Sequence, residues 1–283
     1  MQNYTNNNRS DNKMVKAVVL DWAGTAVDYG CIGPVAVFIE SFKKHGVEVT
    51  AAEARMFMGL MKRDHIRSMC NLPSVKKQWI ERYGKEPDEN DVDAIYKDTE
   101  PMMVSAVAGY SDLIYGLLDF VSELRAKNIK IGSSTGYTGS MMEVLAQQAS
   151  KKGYVPDSIV CSTDVPAGRP YPWMCYMNAI NLNVYPMWCM VKIGDTISDI
   201  EEGLNAGMWT VGLTKSGNEL GLTENEVTKL NSVELENRLN EIKQRFINAG
   251  AHYIVEGIWD CMPIIELINS RIFSGEIPTL RQQ

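Results

Sequence analysis

Short runs of apolar residues recur along the chain and alternate with stretches that have helical periodicity. Six runs are continuous rather than alternating, which is typical of strands buried on both faces of a parallel sheet: residues 15–20, 129–133, 158–161, 190–193, 209–213 and 253–255. Helical patterns separate most of them, at residues 111–127, 140–152, 173–181, 198–205 and 233–248. This alternation predicts an α/β fold with a doubly wound parallel sheet.

The interval between the first two runs is too long for a simple crossover. More than a hundred residues separate them, whereas a parallel crossover needs about a dozen. The interval reads as helical at residues 34–44, 62–70, 73–83 and 89–103, and a capping box at Thr50 and Glu53 begins a further helix. We therefore predict a helical cap domain over residues 30–108, inserted into a core formed by residues 14–29 and 109–283. Glycine-containing hinges are expected at residues 28–33 and 106–111, and a disordered tail at residues 1–13.

The composition of the chain argues against several classes of protein. The 283-residue chain is 45% hydrophobic and carries a net charge of −7 without a Lys/Arg-rich stretch, which argues against nucleic acid as the main partner. No apolar run approaches the roughly 18 residues of a membrane helix, and the polar N-terminus does not resemble a secretion signal. The six cysteines form no CxxC pair and are interpreted as reduced thiols. A cytoplasmic protein with no membrane partner is expected.

Carboxylates follow two of the predicted strands. Asp21 comes directly after the first, in VVLDWAGT (residues 18–25), and Asp195 follows the fourth, with Asp199 one helical turn further on. Ligands of α/β enzymes bind at this edge of the sheet, and paired carboxylates there can hold a hard divalent cation. The alternative is a helix-capping role, which applies to Asp21 and Asp199 alike and less to Asp195.

Two further segments suit a phosphate group. The second strand ends in GSSTGYT (residues 132–138), before a predicted capping box at Ser140 and Glu143, and hydroxyls and N–H groups at a helix start bind phosphate oxygens. Such clusters are otherwise ordinary turns. Arg169 lies in the loop DVPAGRPYP (residues 164–172) and can fork onto phosphate, although a lone loop arginine is more often a surface residue.

Together, residues 15–28, 129–140, 164–172 and 190–199 resemble the haloacid dehalogenase superfamily, which transfers phosphoryl groups through an aspartyl-phosphate. The resemblance implies Asp21 as the nucleophile and Mg²⁺ as the cofactor. It assigns the metal ligands and the phosphate contacts as follows: Asp21, Asp195 and the carbonyl of Ala23 bind the metal, Asp199 supports its water shell, and Thr135, Gly136 and Arg169 bind phosphate.

Ala23 departs from the pattern of phosphatases in this superfamily. They carry a second Asp at that position, which protonates the departing oxygen, and loss of a general acid costs about 10²–10⁴-fold. The chain is therefore either inactive or acts on a substrate whose leaving group needs no such acid.

The predicted cap supplies a candidate for such chemistry in MGLMKRDH (residues 58–65). These residues, with DWAGT and DYGC near the first strand, GYT after the second, and VPAGRPYPWMCY, resemble the phosphonoacetaldehyde hydrolase family over nearly the whole chain after residue 14. The resemblance implies that Lys62 forms a Schiff base with the substrate, that Cys31, Met58, His65 and Tyr137 line the pocket around its amine, and that the protein is a homodimer. The apolar helix at residues 34–42 could serve the dimer contact.

Formation of an imine would explain why position 23 is an alanine and not the acid that phosphatases carry. Carbon is a poor leaving group, but condensation of the aldehyde with Lys62 lets an enamine depart while Asp21 attacks phosphorus. We therefore expect hydrolysis of the carbon–phosphorus bond of phosphonoacetaldehyde to acetaldehyde and phosphate, within 2-aminoethylphosphonate degradation. Two alternatives stay open: a phosphate-ester phosphatase or phosphomutase of the same superfamily, and a catalytically silent binding module.

Overall fold

A six-stranded parallel sheet lies at the centre of the computed structural model, which describes residues 14–278. The tail predicted at residues 1–13 falls outside the described residues. The strands are β1 (Ala17–Leu20), β2 (Lys130–Thr135), β3 (Ser158–Cys161), β4 (Met190–Gly194), β5 (Trp209–Leu213) and β6 (Tyr253–Val255). All six predicted strands are confirmed, within two residues at their ends.

The strand order is β3-β2-β1-β4-β5-β6, which puts β1 in the middle of the sheet. Leu20 at the end of β1 pairs with Ser133 of β2 on one side and with Ile193 of β4 on the other. Every residue of β1, β4 and β5 is buried, which accounts for their continuous hydrophobicity. The carboxyl ends of β1, β2 and β4 therefore open side by side at one edge.

Five helices lie within residues 30–108, between β1 and β2, as the sequence predicts. They are α1 (Ile32–Lys44), α2 (Ala51–Arg55), α3 (Lys62–Cys70), α4 (Pro73–Tyr83) and α5 (Glu89–Ala106). The capping box at Thr50 and Glu53 is present and begins α2. Helix α1 buries Val35, Phe38 and Phe42 in the same hydrophobic cluster as β1, so these side chains are not free to meet a second subunit. We call α1–α5 the cap; its domain boundaries stay a prediction.

The remaining helices cover the two faces of the sheet. They are α6 (Leu117–Ala126), α7 (Gly139–Lys151), α8 (Trp173–Asn181), α9 (Ile197–Asn205), α10 (Glu224–Lys229), α11 (Ser232–Asn248) and α12 (Cys261–Phe273). The α/β fold class is thus confirmed. No helix within residues 14–278 is long and apolar enough to cross a membrane.

Two local predictions are wrong. The helix predicted at residues 111–127 begins only at Leu117, because the preceding backbone pairs with the loop after β1: Ile114 N–H donates to the carbonyl of Ala26 (3.0 Å). The predicted capping box at Ser140 is absent as well. Thr138 is the N-cap of α7, and the hydroxyl of Ser140 bonds instead to that of Thr138, at 2.9 Å.

Candidate active site

Three carboxylates meet at the edge of the sheet where β1 and β4 end. Asp21, Asp195 and Asp199 are buried, and each offers an oxygen that lies within 4.8 Å of the others. Asp21 follows β1, Asp195 follows β4, and Asp199 is in the first turn of α9. The structure thus brings these three acids together, although Asp21 is far from the other two along the chain.

Asp195 is held by the chain on both sides of its carboxylate. The Thr25 hydroxyl donates to Oδ1 at 3.0 Å, and the backbone N–H of Asn218 donates to Oδ2 at 2.7 Å. Gly24 has a φ of +83°, and a Cβ there would lie 2.2 Å from Asp195 Oδ2. Only glycine therefore allows this turn to approach the carboxylate so closely.

The electrostatics of the three acids differ. Burial raises the pKa of Asp21, against the opposing charge of Arg169. Burial, followed by the negative charges of Asp21 and Asp199, raises the pKa of Asp195 well above its ordinary value. The pKa of Asp199 is lowered in spite of its burial, because Arg169 and Lys192 neutralise it. The pKa values of Asp21 and Asp195 thus stay raised, that of Asp21 in spite of Arg169, whereas Asp199 is neutralised by two cations.

This donor set fits a hard divalent cation. Carboxylate oxygens are the ligands that such ions prefer, and a cation beside Asp21 and Asp195 would remove the repulsion that raises the pKa of Asp195. Ala23 lines the same cavity as Asp21, as its predicted role as a carbonyl ligand requires. Asp199 already forms ion pairs with Lys192 (2.7 Å) and Arg169 (3.1 Å). It therefore suits an indirect role in cation binding, through the water around the ion.

Arg169 is a buried residue and not a surface one. Its Nη2 donates to Asp21 Oδ1 at 2.6 Å and to the carbonyl of Ser134 at 2.7 Å, while Nε donates to Glu202 Oε2 at 3.0 Å. Most of its five N–H donors are thus used within the protein. The guanidinium is fixed beside Asp21, where an anion that approaches this carboxylate would meet it.

Sequence reasoning missed two members of this charged network. Lys192 lies within β4, fully buried, and its amine donates to Ser134 Oγ (3.0 Å) and also pairs with Asp199 and with Glu202, the latter at 3.3 Å. Glu202, on α9, accepts from Ser134 Oγ at 2.9 Å. The sequence offered a signal for each residue. Lys192 is a lysine inside an apolar strand, and buried charges must be paired. Glu202 is an acid three residues after Asp199, on the same helix face.

The end of β2 supplies Thr135, Gly136 and Tyr137 to the site. The hydroxyl of Thr135 accepts from the N–H of Tyr137 at 3.1 Å, which bends the chain back over the strand end. A Cβ on Gly136 would lie 2.5 Å from the carbonyl of Leu60. The cap therefore touches the core directly at this residue.

Lys62 is the first residue of α3, and only 4% of it is exposed. Its amine lies 4.6 Å from the ring centre of Tyr137 and 5.7 Å from that of Phe38. Among the described residues it has no hydrogen-bond or ion-pair partner. Burial lowers the pKa of Lys62 to about 8, against the opposing charges of Cys31 and Asp21. The environment thus favours a neutral amine.

The predicted pocket residues divide into two groups. Cys31 and Met58 line the cavity together with Lys62 and Tyr137. His65 is not among its lining residues: its ring stacks on Phe38 at 3.9 Å, and Nε2 lies 2.9 Å from the carbonyl of Ala54. Burial and the charge of Lys62 lower the pKa of His65 well below its usual value. A neutral imidazole thus stands behind the phenyl ring that the lysine faces.

These groups surround one small cavity between core and cap. The core contributes Asp21, Ala23, Thr135, Gly136, Tyr137, Arg169 and Thr196, and the cap with its entry segment contributes Cys31, Pro34, Met58, Gly59 and Lys62. A carboxylate and a desolvated amine thus face the same space from separate parts of the chain. Such a pair can act on a small molecule that has an anionic end and a carbonyl end.

The chain is similar to known proteins over most of its length. Residues 15–207 match the model of the haloacid dehalogenase-like hydrolases. The phosphonoacetaldehyde hydrolase of Syntrophobacter fumaroxidans is 58% identical over 93% of this chain and 95% of its own, and that of Bacillus cytotoxicus is 50% identical over 92% and 98%. A phosphonoacetaldehyde hydrolase like protein from Oleispira antarctica has a solved structure that covers 93% of this chain and 96% of its own, with 41% identity and a TM-score of 0.92. The chain is therefore a haloacid dehalogenase-like hydrolase and belongs to the phosphonoacetaldehyde hydrolase family.

Proposed function

We propose that the protein hydrolyses the carbon–phosphorus bond of phosphonoacetaldehyde to acetaldehyde and phosphate. The observation that carries this proposal is that Lys62 and Asp21 line one small cavity. The relatives' names support the substrate. The phosphonate would lie beside Asp21, with Arg169, Thr135 and Gly136 around its oxygens, and the aldehyde would face Lys62.

The first chemical step is imine formation. Neutral Lys62 adds to the aldehyde carbon, and the resulting carbinolamine takes up a proton and loses water to give a protonated imine. Burial among Tyr137, Phe38 and Met58 lowers the pKa of the amine and so raises the fraction that is neutral for this attack. Cys31 and Met58 bound the space around the imine, while His65 supports the wall that Phe38 forms.

The second step breaks the carbon–phosphorus bond. A carboxylate oxygen of Asp21 attacks phosphorus, and the electron pair of the broken bond moves into a carbon–carbon double bond as the imine nitrogen takes up the former π pair. The products are an aspartyl-phosphate on Asp21 and an enamine on Lys62. Arg169, 2.6 Å from Asp21 Oδ1, opposes the charge repulsion between the carboxylate and the phosphonate.

Water completes the cycle at both residues. Protonation of the enamine carbon gives an ethylidene imine, and water then releases acetaldehyde and the Lys62 amine. A second water hydrolyses the aspartyl-phosphate to phosphate and restores Asp21. At no stage does an alcohol oxygen need a proton, so Ala23 can stand where phosphatases carry an acid.

Asp21, Asp195 and the carbonyl of Ala23 would hold Mg²⁺, which when bound would reduce the negative charge at the reacting phosphonate. Asp199 would act from the neighbouring position, through the water around the ion. Asp199 is suited to that role because Lys192 and Arg169 keep it ionised and fixed.

We further propose, as the family resemblance implies, that the reaction serves 2-aminoethylphosphonate degradation and that the protein is a homodimer. Val35, Phe38 and Phe42 of α1 pack within the chain, so a dimer contact through α1 would use its other face, where Ala36 is exposed. Large apolar side chains that stay exposed include Trp173, Met177 and Ile180 of α8.

Product analysis with phosphonoacetaldehyde, with and without magnesium, tests the proposed reaction. We expect acetaldehyde and phosphate in equal amounts, and loss of turnover after chelation that added Mg²⁺ restores. A phosphate ester serves as the matched substrate, and its hydrolysis should be slower by at least about 10²-fold because the site lacks the acid. Faster ester hydrolysis would favour the phosphatase alternative, and no Mg²⁺-dependent turnover of either substrate would favour the silent module.

The rate should rise with pH up to about 8. With the pKa of Lys62 near 8, about one amine in ten is neutral at pH 7, against about one in 2,500 for an ordinary lysine. The neutral form is the reactive one, so raising the pH increases kcat/KM about tenfold per unit below 8 and has little effect above it. A profile that keeps rising tenfold per unit beyond pH 9.5 would contradict the lowered pKa.

A further inference from the structure

One short cap segment makes most of the contacts that close the cavity. Residues 55–62 cross the edge of the sheet and meet the loops that follow several strands. The Met58 carbonyl accepts from Ser198 Oγ at 3.2 Å, and the N–H of Gly168 lies 3.0 Å from Met61 Sδ. Gly59 has a φ of +93°, and a Cβ there would lie 2.1 Å from Ser198 Oγ. Lys62 reaches the cavity because this segment is docked on the core.

Arg55 begins the segment and joins three separate stretches of chain. Its Nη1 donates to the carbonyl of Gly30 at 2.7 Å and to Asn218 Oδ1 at 3.3 Å, and Nη2 donates to the carbonyl of Gly221 at 3.0 Å. The carbonyl of Arg55 accepts from Asn218 Nδ2 at 3.2 Å. The cap, its entry segment and the loop after β5 are thus tied together by one guanidinium.

The loop after β5, which Arg55 contacts, also forms a hydrogen bond with Asp195. The Asn218 side chain bonds to Arg55, and its backbone N–H bonds to Asp195 Oδ2 at 2.7 Å. The same loop meets the cap entry again through the Ser216 carbonyl, which accepts from the N–H of Gly30 at 2.7 Å. Displacement of the cap segment would therefore strain the support of Asp195.

We propose that Arg55 and Asn218 form a clasp that positions Lys62 over Asp21 by holding the cap segment closed. Both are positioning residues, since neither lines the cavity. The role of this closure in imine formation rests on the proposed function. The clasp itself can be tested without substrate.

Other cap arginines provide the matched control. Arg67, on α3, pairs with Asp64 and Glu89, which also belong to the cap. Arg67→Ala removes an arginine and its ion pairs from the cap without removing a contact to the core. A clasp effect should therefore appear in Arg55→Ala and be absent from Arg67→Ala.

The reactivity of three buried cysteines can distinguish opening of the cap from unfolding. Cys31 lines the cavity, Cys70 lies inside the cap, and Cys175 lies in the core. Alkylation of the metal-free full-length protein with iodoacetamide, followed by peptide mass spectrometry, measures each rate separately. Cap opening raises labelling of Cys31 alone, whereas unfolding of the cap also raises Cys70, and global unfolding raises all three.

We expect Arg55→Ala to label Cys31 at least about tenfold faster than the unaltered protein, since it loses four hydrogen bonds from a charged donor, one of them to the carbonyl of Cys31 at 3.4 Å. Asn218→Ala, which has no contact with Cys31, should give a smaller increase, about threefold. Arg55→Lys should fall between Arg55→Ala and the unaltered protein, because one amine cannot fork as a guanidinium does. Unchanged Cys31 labelling in both alanine variants, or a parallel rise of Cys70, would overturn the clasp.

Borohydride trapping on Lys62 then connects the clasp to the reaction. With phosphonoacetaldehyde, we expect Arg55→Ala to trap at least about tenfold more slowly than Arg67→Ala. Equal trapping rates would overturn the positioning of Lys62 by Arg55. If borohydride gives no adduct on Lys62 in any variant or in the unaltered protein, the proposed function fails. The labelling result still decides whether the clasp exists.

Discussion

Replacing Lys62 with arginine should abolish turnover of phosphonoacetaldehyde, with kcat lower by at least about 10⁴-fold. Arginine keeps the positive charge and much of the length, but its guanidinium stays protonated and cannot form the imine. Without the imine, the leaving group is an acetaldehyde carbanion, which nothing in the cavity stabilises. Steady-state acetaldehyde release measures the loss.

A second lysine provides the control for this substitution. Lys76, in α4, pairs with Glu86 on the surface of the cap, so Lys76→Arg should keep normal turnover. Thermal unfolding of both variants checks that the cap remains folded. If Lys62→Arg kept more than about a hundredth of the activity, a charge at position 62 would suffice and the imine mechanism would be wrong.

Asp21→Asn should also lose at least about 10⁴-fold in kcat, but at a different step. The amide has the shape of the carboxylate and lacks a nucleophilic oxygen, so the carbon–phosphorus bond stays intact while Lys62 can still condense with the aldehyde. Borohydride should then fix a 2-phosphonoethyl group on Lys62. Peptide mass spectrometry identifies the adduct and its position.

Asp112→Asn is the matched control, since the Asp112 side chain is largely exposed and pairs with Lys152. It should turn over normally and leave no 2-phosphonoethyl adduct. Rapid phosphate release by Asp21→Asn would show that another group attacks phosphorus. Complete loss of trapping in Asp21→Asn, with the protein folded, would show that imine formation depends on the carboxylate, contrary to the two-step scheme.

The sequence predicts the sheet well because buried parallel strands leave a local signal. Continuous apolar runs located all six strands, and a carboxylate directly after a run located Asp21 and Asp195. The short loops after strands leave little freedom for these side chains, so their convergence follows from the parallel topology alone. The helix start near residue 111 was predicted wrongly because its backbone bonds to a distant loop.

Residues whose role depends on long-range pairing could not be predicted in this way. Glu202 is neutralised by Lys192 and Arg169, and Lys192 by Glu202 and Asp199, and nothing near them in sequence specifies those partners. Arg55 looks like an ordinary helix-ending arginine until its contacts with the loop after β5 are visible. Lys62 was assigned through its family resemblance, since its local sequence also fits a solvated helix lysine.

The imine on Lys62 is the central claim, and reductive trapping tests it most directly. The unaltered protein is mixed with phosphonoacetaldehyde and borohydride, and the modified lysine is located by peptide mass spectrometry. We predict an ethyl group on Lys62, left after phosphorus has departed, and no modification at Lys192. An adduct on a different lysine, or full inactivation without any adduct, would contradict the account.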